Sequence, residues 1–155
     1  MAVNIVTFVL LLVMALLVGT MFGIWAGFNP TLLSAAAYVE MQQNAIRSLN
    51  SLLPALGAIC ILLTATLAML LKGKRATLYL LLAALVCLVA AGGITRFRNQ
   101  PINSVVMTWS VQAPAANWTE LRDTWWYWHI VRTVAGIAAL AFTILAMISS
   151  KNSAA

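Results

Sequence analysis

Four stretches of this chain are apolar over the length needed to cross a bilayer, and that constrains its folding more than any motif does. About 30 Å of hydrocarbon takes roughly 20 residues of helix. The stretches 3–28, 52–71 and 76–94 reach that length without one charged residue. The fourth, 133–148, is uncharged but too short. Extending it to roughly 20 residues draws Trp128, His129 and Arg132 into the membrane boundary. The expected fold class is an all-α membrane protein, a four-transmembrane-helix bundle forming a single transmembrane domain over residues 1–155. Its spans are expected at about 3–28, 52–71, 76–94 and 125–148.

Composition agrees. Hydrophobic residues make up 63% of the chain and charged residues 8%, against about half and a quarter in a soluble domain. The net charge of +6 comes from nine bases set against Glu40, Glu120 and Asp123. These bases are scattered, with no basic stripe interleaved with aromatics to follow a phosphate backbone, so membrane lipids are the expected partners and nucleic acid is not. Cys60 and Cys87 lie in apolar runs without a CxxC or Cys/His pair, which argues against structural zinc. The first apolar run is too long for a signal-peptide core and has no basic residue ahead of it, so it is expected to be retained.

The connections differ in kind. The first span ends at Asn29-Pro30, where proline discourages continuation. Lys72-Gly73-Lys74-Arg75 is a tight basic turn that makes spans two and three an antiparallel hairpin. In 31–51, Tyr38, Met41, Ala45 and Leu49 recur at helical spacing, with Glu40, Asn44 and Arg47 on another face. That pattern predicts an extramembrane extension of helix 2, bent near Pro54. Residues 95–118, rich in Asn and Pro, read as an ordered loop between helices 3 and 4, closed by Asn117-Trp118-Thr119-Glu120, a good helix start. Both termini and the basic turn then share one side, which we expect to be the cytoplasmic side of a bacterial plasma membrane.

The polar residues gather at the opposite end. Trp125, His129, Arg132 and Gly136 follow three- and four-residue steps and share a face. An arginine near mid-helix costs about 2.5–3.5 kcal/mol on insertion scales, so Arg132 is expected either to face protein or water or to snorkel to head groups. His129 is the one histidine, and such a residue serves either as a hydrogen-bonded structural group or as a base near neutral pH. Asn99 and Asn103 can donate to an anionic oxygen or cap helix 3. Glu40, Gln43, Asn44 and Arg47 form a further cluster, with Glu40 a natural partner for Arg132 or Arg96. The neighbouring tryptophans suit an interfacial belt. On helix 1, Gly19, Gly23 and Gly27 lie on one face, which serves tight packing inside the bundle, a groove for a flat ligand, or a homo- or hetero-oligomer contact.

Several of these segments, in this order, carry a resemblance. They are the glycine helix followed by Asn29-Pro30, Gln42-Gln43-x-x-Ile46-Arg47-x-Leu49-Asn50, and Asn99-Gln100-Pro101-Ile102-Asn103. The last is Trp109-Ser110-x-x-Ala113-Pro114-Ala115-x-x-Trp118-x-x-Leu121-Arg122-Asp123-x-Trp125-x-x-Trp128-His129-x-Val131-Arg132-Thr133. Together they resemble the anthrone-oxygenase-like family of small four-helix membrane proteins, most of which have no assigned function. The resemblance implies oxidation of an anthrone, a hydrophobic aromatic small molecule, without metal or flavin, so the cofactor expectation is none. The matching residues are Asn99, Asn103, Trp109, Trp128, His129 and Arg132. On that reading His129 is the base, Arg132 and Asn99 stabilise the enolate oxygen, and Trp109, Trp125 or Trp128 stack on the rings, with Glu40, Gln43 and Arg47 nearby. Two alternatives stay open: an accessory subunit of a larger membrane complex, and a protein that binds a quinone or lipid without turnover.

Overall fold

The structure, a computed structural model, describes residues 1–152 and is an all-helical bundle. Helices α1 (Ala2–Gly27), α3 (Leu52–Leu70), α4 (Arg75–Ile94) and α6 (Trp118–Asn152) each carry a stretch long and apolar enough to cross a membrane. Only 28–33% of those stretches is buried within the protein, so most of their apolar surface faces outward. A helix that is apolar all round and uncovered by protein is covered by lipid. This is a four-helix integral membrane protein.

The spans meet along a core that includes Leu10, Met14, Leu17 and Met21 of α1, Cys60 and Leu67 of α3, Leu81 and Leu88 of α4, and Ala139 of α6. Buried threonines bring no unpaired hydroxyl where they can reach back one turn: Thr64, Thr133 and Thr143 donate to the carbonyls of Cys60, His129 and Ala139. At the basic turn, Lys74 Nζ donates to the Ser150 carbonyl and hydroxyl, tying the α3–α4 connection to the end of α6.

Helices α1 and α6 approach closely at Gly136, where an added Cβ would lie 2.7 Å from Met21 Cε and 3.4 Å from Val18 Cγ2. The glycines of α1 do not serve this purpose. Gly19, Gly23 and Gly27 are exposed, and a Cβ at any of them meets nothing within 4 Å. Packing inside the bundle, the commoner use of such a stripe, is therefore not its use here.

A second, smaller core caps one end, built on Tyr38, Val39, Ile102, Val106 and Trp125. It comes from a 3-10 turn (Pro30–Leu32), α2 (Ala35–Leu49), α5 (Gln100–Val106) and the start of α6. Two boundaries differ from the sequence expectation. The helical 31–51 segment is a separate helix: α2 starts at its Ser34 cap, which accepts from Ala37 N, and the chain turns at Asn50–Ser51. Pro54 sits in the first turn of α3, where a missing N–H costs nothing, so it causes no bend. The third span also stays helical through Val106, leaving 107–117 as the loop. Pro101 cannot donate, and in α geometry its ring would meet the carbonyl four residues back. The helix meets this by widening into one π turn, Thr95–Asn99, in which Gln100 N–H bonds Thr95 O, and it continues as α5.

Candidate functional site

The site is organised around the face of α6 that turns inward. Trp125 and Arg132 are each 7% exposed and His129 is fully buried. Arg132 Nη2 and Nε lie 3.0 and 3.3 Å from His129 Nδ1. A guanidinium can only donate, so Nδ1 is the acceptor and the ring proton sits on Nε2. That nitrogen lies 3.1 Å from the Met21 carbonyl of α1, to which it donates. Both ring nitrogens are thereby engaged. The imidazole also lies nearly parallel to the Trp125 and Trp126 rings, with centroids 5.0 and 5.7 Å away.

Arg132 is held from a second side by α4's continuation, where Nη1 donates to Thr95 Oγ1 at 3.1 Å. Its guanidinium carbon is 5.9 Å from the Trp125 ring centre. No carboxylate pairs with it among the described residues; the ion pair found there is Arg122 with Asp123, at 2.8 Å. A buried cation without a counter-ion is costly unless something anionic or polar meets it.

Beside these groups lies a cavity of about 460 Å³, bounded by the end of α1, by α2, by the first turn of α3 and by the inward faces of α5 and α6. Its size falls in the ordinary range of small-molecule sites, about 300–1,000 Å³. Ile24, Leu33, Ile46, Leu53 and Tyr38 make largely apolar wall, while Arg132, Thr95, Asn103 and Gln42 are among its polar lining residues and Trp125 lines it with an indole. The Asn103 Oδ1 accepts from Trp125 Nε1 (2.8 Å) and Gln42 Nε2 (3.4 Å), and its Nδ2 donates to Asn50 Oδ1 (2.8 Å). One amide thus orients three neighbours. Tyr38 is 1% exposed and its hydroxyl has no hydrogen-bond partner. Burial pushes its phenol well above the ordinary value, so the group stays protonated and available as a donor.

Residues 42–142 match the family model described as anthrone oxygenase. The chain belongs to the anthrone oxygenase family. No curated protein and no solved structure matches it.

Within this family member, the residues singled out from the sequence fall into three groups. Arg132, Asn103, Trp125 and Asn44 line the cavity. His129 and Asn99 stand behind it. The expectation that His129 is the base meets a geometric obstacle, since it lines no part of the cavity and both nitrogens are taken. Asn99 is fully buried and donates from Nδ2 to the Trp125 carbonyl at 3.0 Å, with its Oδ1 unpaired. It therefore reaches α6, not the cavity. Gln43 likewise acts through the backbone, donating to the carbonyls of Val106 (3.0 Å) and Trp109 (2.9 Å).

The third group lies outside. Glu40 is exposed and pairs with neither Arg132 nor Arg96. Arg47 is exposed, within 3.5 Å of Gln43 Oε1. Trp109 packs against the cap core, and Trp128 lies under Arg98, 5.0 Å from its guanidinium carbon. Tyr38, Thr95 and Gln42 were not singled out as site residues. Gln42 stands beside the flagged Gln43, but Tyr38 reads from the sequence as one apolar position of α2, and nothing there shows that its hydroxyl is orphaned.

Proposed function

We propose that the cap cavity binds a flat, oxygen-bearing aromatic molecule of the anthrone type and stabilises its enolate while O₂ reacts with it. The observation that carries this reading is Arg132: a buried guanidinium on the cavity wall, positioned by His129 and Thr95, with no carboxylate paired to it among the described residues. A fixed, buried cation stabilises charge that develops on an oxygen, at no cost of reorganisation during the reaction. Trp125 offers a flat wall for the rings.

The chemistry balances without a further reductant. The anthrone methylene loses one proton, and the enolate oxygen takes the charge beside Arg132. The electron-rich carbon passes an electron to O₂, and the two radicals combine as a peroxide anion that takes a proton back from water. Loss of the second C–H proton with departure of hydroxide leaves a carbonyl, so CH₂ and O₂ become C=O and water. Among the described residues no Asp or Glu lines the cavity, so we assign the first proton to water at its mouth. In this scheme His129, Asn99 and Asn103 are positioning residues. His129 sets the Arg132 fork, and the two asparagines set Trp125. We place the termini and the Lys72–Arg75 turn in the cytoplasm, with the cavity at the opposite membrane face.

The test is oxygen uptake and quinone absorbance with 1,8-dihydroxyanthrone and the protein in lipid nanodiscs, against protein-free discs. Wild type should exceed the spontaneous rate, and Arg132→Met should lower the protein-dependent rate by about a hundredfold or more. His129→Gln, which keeps an acceptor for Arg132 and a donor for Met21, should retain most of it. A rate equal to that of empty discs would sink the oxygenase reading. Loss in His129→Gln with activity kept in Arg132→Met would return the base role to His129.

A further inference from the structure

A second space adjoins the cap cavity. It has a volume of about 230 Å³ and runs down between α3 and α4 towards the middle of the bundle. Leu53, Pro54, Thr95 and Arg132 line both spaces, so the guanidinium stands at their junction. The walls of the second space differ in chemistry from the first. Gly57, Ala58, Ala91 and Gly92 leave the room, and Ile61 and Leu88 close it with aliphatic carbon. Its polar lining is confined to Thr95, Arg96, Gln100 and Arg132, all on the π turn, the start of α5 or the inward face of α6. Water finds few partners in such a slot, whereas hydrocarbon fits it. Ala58 and Gly92 are exposed, so its rim opens sideways on the surface that faces lipid.

We propose that this slot holds an alkyl or isoprenoid tail attached to the ring that occupies the cap cavity. The protein's ligand is then a membrane-dissolved, tailed aromatic ketone, phenol or quinone, taken laterally from the bilayer. Its oxygenated head turns past Arg132 into the cap while its tail stays between α3 and α4. This rests on the cap cavity being a ring site, but not on any reaction occurring there.

The test measures binding, by quenching of Trp125 and its neighbours in nanodiscs, of two probes corrected for partition into protein-free discs. One is 2-methyl-1,4-naphthoquinone; the other carries a geranyl chain at the adjacent ring carbon. Wild type should bind the tailed probe about tenfold more tightly, the discrimination a few methylenes give in an apolar pocket. Gly57→Leu should bring the ratio of the two affinities close to unity, since a side chain there grows into open space. Ala58→Leu fills the same slot from its rim and serves if the first variant does not fold. Gly19→Leu, on the outward face of α1, should leave the ratio as in wild type, and Arg132→Met should weaken both probes. A wild-type ratio near unity would overturn the proposal, as when a bilayer lipid's own chain fills the slot. A ratio unchanged in both Gly57→Leu and Ala58→Leu would overturn it too. Tail preference without anthrone turnover would remove the oxygenase reading and leave the tail slot standing; turnover without tail preference would do the reverse.

Discussion

The Tyr38 hydroxyl and the Arg132 guanidinium pose the same question, because each is a buried polar group whose natural partner is absent among the described residues. An unmade hydrogen bond at a buried group costs about 1–3 kcal/mol. The Tyr38 oxygen bears such a cost, and Phe would not. If a ligand completes it, Tyr38→Phe moves two measurements in opposite directions. The melting temperature of the unliganded protein should hold or rise, while affinity for an oxygenated aromatic should fall about fivefold or more. A drop in both would mark Tyr38 as a packing residue only. Arg132 was legible beforehand because an uncharged span of 133–148 is too short, which forces the arginine towards the membrane. What its side chain meets there is Thr95, brought in by α4's continuation, and His129, itself fixed by the Met21 carbonyl of α1.

At the level of elements, α2 is the least self-sufficient part of the fold. It is short, amphipathic and joined to the spans by turns at both ends, and it forms one wall of the cap cavity. Its hold on α5 and the loop after it runs through Gln42 to Asn103 and through Gln43 to the Val106 and Trp109 carbonyls. Removing the two Gln43 bonds by Gln43→Ala should cost about 1–3 kcal/mol, spent locally. Hydrogen–deuterium exchange should then rise across 35–49 while α1, α3 and α4 keep their protection. An equal rise in all spans would mean that Gln43 supports the whole bundle. The helicity of α2 was readable from its three- and four-residue spacing. Its break from α3 was not, because Pro54 tolerates the first turn of a helix as well as it marks a bend. The continuation of α4 through Pro101 was hidden for a related reason: one π turn absorbs a proline that otherwise signals a loop.

For the molecule as a whole, the bilayer is the missing partner of most of its surface. Val86 lies in the middle of α4, 69% exposed. In a soluble protein, Val86→Asp would cost almost nothing at such a position. Here it should cost about 2.5–3.5 kcal/mol of insertion, seen as loss of membrane-integrated protein, while Glu120→Gln in the exposed first turn of α6 has no such effect. Normal insertion of Val86→Asp would overturn the spanning assignment of α4. Four spans, the place of the polar end and the face of α6 that bears His129 and Arg132 were all readable from residue order alone. Length against hydrocarbon thickness and helical periodicity are local properties, readable along one chain segment at a time. It took the packed bundle to bring Arg132 to the cavity with His129 behind it, to turn Glu40 away and to make Gly136, not the α1 glycines, the close crossing. Those outcomes depend on how far each helix is rotated about its axis and on which neighbour it meets, and pairwise packing sets both.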